Sequence, residues 1–196
     1  MFLMSVPSAE TVRDFLDSER DLPFSYDEVG ITQEYATRDD APPGYTADRY
    51  HILLGEGPET FEKAKNALRS WGQFELEWVE LLPRKAPIEP GVTVAVIARH
   101  YGFISLNSAR IVHMVEDHGP VERYGFAYGT LPGHAEKGEE RFTIEWDREN
   151  GAVFYNVLAF SQPAHPLARL GAPFARRLQN RFARDSVRAM DSATKR

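Results

Sequence analysis

Glu140-Arg141-Phe142-Thr143-Ile144-Glu145-Trp146, Asp147-Arg148-Glu149-Asn150-Gly151 and Val153-Phe154-Tyr155-Asn156-Val157-Leu158-Ala159-Phe160 together form the stretch whose reading decides the fold. In the first part Phe142, Ile144 and Trp146 alternate with Arg141, Thr143 and Glu145, the period of a strand with one wet face. Asn150-Gly151 tolerates positive φ at little cost, so the chain is expected to reverse there into a hairpin. The third part is apolar on both faces except for Asn156 and the Tyr155 hydroxyl, which predicts a strand covered on both sides. Just upstream, Tyr124-Gly125-Phe126-Ala127-Tyr128 places aromatics on one face of a further strand and small residues on the other.

Downstream, Pro163 and Pro166 interrupt the chain and Pro173 suits the first turn of a helix, where its missing N–H is no loss. From there Ala175, Leu178, Phe182, Ser186, Ala189 and Ala193 recur at intervals of three and four. They mark one apolar face on a helix about 30 Å long, which is expected to lie on the sheet. Arg177, Arg181, Arg184 and Arg188 form a parallel row. That row is either a solvated basic flank, favoured near a helix C-terminus, or a source of one guanidinium, from Arg184 or Arg181, reaching under the helix to a buried anion.

The rest of the chain is consistent with this centre. With 196 residues, 42% of them hydrophobic and 12% aromatic, it can build one core, and one domain over 1–196 is expected. Residues 1–45 are expected to be its periphery: a short helix capped by Ser8, with Val12, Phe15 and Leu16 facing inward, then an irregular segment. Tyr50 to Leu54 is a predicted strand, Pro58 opens a helix with Phe61, Ala64, Leu68 and Trp71 in a stripe, and Gly72 suits the position after its end. Strands are also predicted over 74–82, 92–98 and 108–115. A net charge of −6 leaves no electrostatic footprint for nucleic acid. The absence of cysteine excludes disulfides, thiolate catalysis and cysteine-ligated metals. No apolar run approaches membrane-spanning length and no leader is read at the start, so the expected compartment is cytoplasmic.

The predicted order is helix, irregular segment, strand, helix, about six antiparallel strands and a long closing helix. This is an α+β, helix-grip arrangement, a curved antiparallel sheet wrapped on a long C-terminal helix, as in START and Bet v 1-like proteins. Sheet and helix in such an arrangement commonly enclose a cavity.

Particular segments carry a closer resemblance. Phe24-Ser25-Tyr26-Asp27-Glu28-Val29-Gly30-Ile31-Thr32, Leu54-Gly55-Glu56-Gly57, Tyr128-Gly129-Thr130-Leu131-Pro132-Gly133-His134 with Gly138-Glu139-Glu140-Arg141-Phe142, Ser161-Gln162-Pro163-Ala164-His165 and Phe182-Ala183-Arg184 resemble uncharacterised protein family 0548 (DUF1990), from about Phe24 to Met190. The resemblance implies a START-like fold and brings no established activity or catalytic residue to carry over.

Candidate chemistry gathers around few residues. Glu140 has the strand parity of Phe142 and Trp146, so on a concave face its carboxylate points into an apolar cavity, where burial raises its pKa and suits a general acid or a ligand anchor. Alternatively it forms a structural bridge, with Arg184 the expected partner. His134 sits in a Pro-Gly-His loop, either as a binding residue or satisfied by backbone. Trp78, Tyr128, Thr130 and Tyr155 are further candidates for a pocket wall, with Glu140 and Arg184 as its polar groups. The six histidines include no metal-binding motif and no Gly-x-Ser-x-Gly is present, so neither a metal nor a cofactor is expected. The leading expectation is a protein that holds a small apolar or amphipathic molecule between sheet and helix. The alternatives are a cyclase- or hydrolase-type enzyme using Glu140 with His134 or His165, and a protein-interaction domain with a filled core.

Overall fold

Alternation along the chain builds one large antiparallel sheet. The computed structural model describes residues 1–38, 40–100, 102–163 and 172–195. Its strands are β1 (Phe2–Leu3), β2 (Thr46–Glu56), β3 (Val79–Leu82), β4 (Thr93–His100), β5 (Phe103–His118), β6 (Val121–Thr130), β7 (Glu136–Asp147) and β8 (Ala152–Pro163). The helices are α1 (Ala9–Glu19), α2 (Ile31–Glu34), α3 (Gly57–Arg69) and α4 (Ala172–Thr194). The spatial order is β2-β8-β7-β6-β5-β4-β3, with β1 pairing the start of β5. Strands three to eight thus follow each other as a meander, and β2 closes the far edge against β8. The result is a curved antiparallel sheet with a C-terminal helix, the helix-grip arrangement. The predicted hairpin turns at Gly151, whose φ of 81° is the left-handed conformation glycine adopts without strain.

The inner face of the sheet carries Tyr124, Phe126 and Tyr128 of β6, Phe142 and Ile144 of β7, and Val153, Tyr155 and Val157 of β8 in a single apolar cluster with Phe61, Ala64 and Leu68 of α3. The outer face is covered by α1 and by residues around Ile31 and Tyr45. Ser8 caps α1 by accepting the Thr11 N–H at 3.1 Å, and Val12 and Phe15 pack on Ala95, Ile97, Ile104 and Leu106 of β4 and β5. Ile31 and Tyr45 pack on Leu158 and Phe160 of β8. Tyr26 lies across Gly129, where an added Cβ would meet its hydroxyl at 2.2 Å, so the small outer face of β6 is the bed for an aromatic ring.

The structure departs from the sequence pattern in three places. The strand expected over 74–82 is confined to Val79–Leu82, because Gly72–Phe74 is a 3-10 turn whose backbone bonds close locally, Phe74 N–H to Trp71 and Glu75 N–H to Gly72. The residue that ends α3 in the left-handed conformation is Trp71, with φ of 62°, rather than Gly72. On α4 the most buried positions are Ala183, Ser186, Met190 and Thr194, with Ala189 and Ala193 only half-buried. The apolar face is therefore rotated by one position at its C-terminal end. Alanines constrain such a face weakly, and the larger Met190 side chain takes the interior. Among the described residues no helix is long and apolar enough to cross a membrane.

Candidate functional site

The inner face and α4 do not meet everywhere. Between them lies a cavity of about 660 Å³, within the range of small-molecule sites. Strand register sets its polar end: Asp48 of β2, Ala159 of β8, Glu140 of β7 and Tyr128 of β6 stand in one cross-strand row. The Tyr128 hydroxyl donates to Glu140 Oε2 at 2.6 Å, while Oε1 has no partner among the described residues. Glu140 is partly accessible, and because it lines the cavity its free surface opens there. Burial pushes its carboxyl up to about 7; the Tyr128 hydrogen bond pulls the other way, and Asp48 and Glu136 add to the rise.

The neighbouring polar groups come from β2, β7 and α4. Arg176 donates to Asp48 Oδ2, and Gln179 donates from Nε2 to Glu136 Oε2 at 2.6 Å and to Ser161 Oγ at 3.0 Å. Burial raises the Glu136 pKa as well, against the pull of Gln179. His134 Nδ1 accepts the Glu136 N–H at 3.0 Å, and burial lowers its pKa to about 4, so the ring is neutral at pH 7. The apolar wall begins next to Glu140, where Phe74 lies 6.2 Å from Tyr128 and 5.1 Å from Phe182 between ring centroids. Trp78 continues it, held by a hydrogen bond from its indole N–H to Asp185 Oδ2 at 2.9 Å and by the Arg181 guanidinium 4.3 Å above its ring.

The structure thus brings together Trp78, Tyr128, Thr130, His134 and Glu140 as lining groups of one cavity. Thr130 is engaged outward, its hydroxyl 2.6 Å from Ser25 Oγ and accepting the Gly138 N–H at 2.9 Å. Two expected members stand elsewhere. Tyr155 is fully buried with its hydroxyl 2.8 Å from Ser186 Oγ, so it fastens α4 to the sheet and does not form the wall. Arg184 is exposed, and the expected bridge to Glu140 is absent: Tyr128 occupies that role because the β6–β7 register sets the two residues directly opposite each other. His165 lies outside the described residues. Asp48, Glu136, Arg176 and Gln179 were not singled out from the sequence, although Glu136 shares the strand parity of Glu140 and so carried a readable signal. Among the described residues no group of three or more His, Asp or Glu is placed to hold a metal ion.

With this geometry in place, comparison with known proteins adds the following. The family model described as "Domain of unknown function (DUF1990)" matches residues 25–189. A UPF0548 protein of Dictyostelium discoideum is 38% identical, over 97% of this chain and 94% of its own length. A UPF0548 protein of Deinococcus radiodurans is 37% identical, over 97% of each. Among solved structures, TTHA0849 from Thermus thermophilus is similar with a TM-score of 0.51 at 12% identity, covering 76% of this chain and 97% of that one. At such identity the likeness is one of fold.

Proposed function

We propose that this chain, which belongs to the DUF1990 (UPF0548) family, is a small-molecule binding protein that holds an apolar or amphipathic ligand between its sheet and α4. The observation that carries this reading is the cavity itself. A space of about 660 Å³ lined by Phe74, Trp78 and Phe182 and ending in a half-satisfied carboxylate is costly to keep in a protein interior, where packing is otherwise dense. The cavity favours this reading over an interaction domain with a filled core. Catalysis of cyclase or hydrolase type draws on one observation, the titration of Glu140 near 7, which suits proton transfer. His134, whose Nδ1 accepts a backbone N–H, carries its proton on Nε2 when neutral and would serve such a reaction as a hydrogen-bond donor rather than as a base; His165 lies outside the described residues.

Native mass spectrometry of protein purified from its own host tests the binding reading. The expected result is a retained small molecule that leaves on denaturation, together with about one site for an environment-sensitive apolar dye. Absence of both would overturn it. Turnover of a retained molecule on incubation, lost in Glu140→Gln, would decide for the enzyme.

A further inference from the structure

The cavity has an uneven charge balance. Its polar end holds the carboxyls of Asp48, Glu136 and Glu140, and the guanidinium that enters it, Arg176 of α4, is committed to Asp48. Glu136 and Glu140 are met by neutral donors, Gln179 and the Tyr128 hydroxyl. Strand alternation turns the side chains of Lys137 and Glu139 away from those of Glu136 and Glu140, and Glu139 is bonded to Tyr26 and Thr32; both residues nevertheless border the cavity, so Lys137 is a second cation at its rim. From β2, Tyr50 donates its hydroxyl to Asn180 Oδ1 at 3.0 Å. Of the histidines that border the cavity, His134 has its pKa lowered by burial to about 4 and brings no charge at neutral pH, and burial lowers that of His100 as well.

A second observation points to a ligand independently of that balance. Glu140 Oε1 has no partner among the described residues, and the residue opens onto a cavity large enough for a molecule of drug size. Beside it stand the rings of Tyr128, Phe74 and Phe182, a sequence of aromatic faces of the kind that attracts a cation as well as an apolar chain. A carboxylate with one oxygen unpartnered among the described residues and rings next to it is matched by a positively charged donor. It repels an anion and gains less from a hydroxyl.

Building on the binding reading above, we propose that the cavity takes a molecule with a protonated amine at one end of an apolar body, the ammonium donating to Glu140 Oε1 and the body lying along Phe74 and Phe182. Binding is then linked to a proton. A protonated Glu140 loses its proton to solvent as the ammonium arrives, so the complex forms with R–NH3⁺ against a carboxylate and one proton passes to the buffer. Asp48 and Glu136 reinforce the preference through their field, and Arg176 stays with Asp48.

Octylamine, 1-octanol and octanoate share one body and differ in the end group, so they test the proposal as probes. Each is titrated calorimetrically into the full chain at pH 6.5, in two buffers of different ionisation heat, with an apolar dye as competitor. The expected order is octylamine tighter than octanol by about tenfold or more, octanoate weakest, with proton release for the amine alone. Glu140→Gln is expected to bring octylamine down to octanol while octanol changes by less than about twofold, which also shows that the variant is folded. Tyr128→Phe keeps the carboxylate and is expected to keep the preference for the amine. If octanol or octanoate binds as well as octylamine, or the amine's advantage survives Glu140→Gln, the amine proposal falls while the cavity reading stands. If neither the dye nor any of the three probes binds, both fall.

Discussion

Glu139 and Glu140 are adjacent on β7 and point to opposite faces of the sheet, and their surroundings differ in kind. Glu139, 2% exposed, accepts the Tyr26 hydroxyl at 2.7 Å, the Gly30 N–H at 2.8 Å, the Thr32 N–H at 3.0 Å and the Thr32 hydroxyl at 2.5 Å. Both of its oxygens are used. Glu140 accepts one hydrogen bond, and its other oxygen opens on a cavity. A buried carboxylate is tolerable when donors replace the water it has lost. The outer face meets that condition by folding Tyr26, Gly30 and Thr32 over the strand, whereas the inner face leaves it unmet beside space for another molecule. The lesson is that burial alone does not mark a site. Incomplete satisfaction next to a cavity does.

The largest effect expected from breaking this contrast is on the outer face. Glu139→Ala leaves the buried donors of Tyr26 and Thr32 without an acceptor, at about 1–3 kcal/mol each. A total loss of about 3–5 kcal/mol in urea melts follows, with ligand binding changed only through stability. A loss below about 1 kcal/mol would mean that water replaces the carboxylate and that the outer layer is loosely held.

The packed and the open parts of the inner face also differ along α4. Met190 is fully buried in the inner cluster, whereas Phe182 is half-buried because one side of its ring borders the cavity. Met190→Ala is expected to cost about 3 kcal/mol and Phe182→Ala about 1–2 kcal/mol, since a ring with space on one side has fewer contacts to lose. Equal losses in denaturant melts would mean that the space beside Phe182 is closed in solution.

Glu140→Gln sharpens the comparison through pH. The carboxyl of Glu140 is raised from 4.5 to about 7 in the folded protein, so between those values the folded state binds more protons than the unfolded one. Stability therefore falls as pH rises through this window, by about 2–3 kcal/mol from this group alone. Glutamine keeps the acceptor for Tyr128 and does not titrate. Near pH 4.5 the variant and parent are expected to melt alike, and at pH 8 the variant is expected to be the more stable by that amount. Identical profiles for parent and variant would mean that Glu140 is solvated and ionised like a surface carboxylate.

Much of this contrast was legible in the sequence. Period-2 alternation assigned Glu140 to the face of Phe142, and Asn150-Gly151 placed the hairpin that puts β8 beside it. The outer face of β6 was legible as small; that Tyr26, about a hundred residues upstream, lies across Gly129 is tertiary information. The partner of Glu140 was not legible for the same reason. Its pairing with Tyr128 depends on the register across the loop at 131–135, and one step of slippage would send the two side chains to opposite faces. Asp48 and Arg176 stand 128 positions apart and meet only once β2 has crossed to the far edge of the sheet.

The smallest expected effect concerns the arginine row, of which the sequence offered Arg184 or Arg181 as the one to reach under the helix. The structure separates them by what lies beneath. Arg181 covers the Trp78 ring and approaches Asp185 at 3.5 Å, so it helps to hold an indole that lines the cavity. Arg184, three positions on, is exposed and has no ion pair or hydrogen bond among the described residues. Arg184→Ala is accordingly expected to change stability by less than about 0.5 kcal/mol and to leave dye binding intact. Arg181→Ala is expected to cost about 0.5–1 kcal/mol and to shift the emission of Trp78 as its ring loses a cation. A double-mutant cycle of Arg184→Ala with Glu140→Gln is expected to show no coupling. Coupling above about 1 kcal/mol would restore a bridge between the helix and the cavity carboxylate, and Glu140 would then belong with Glu139 among the satisfied structural groups.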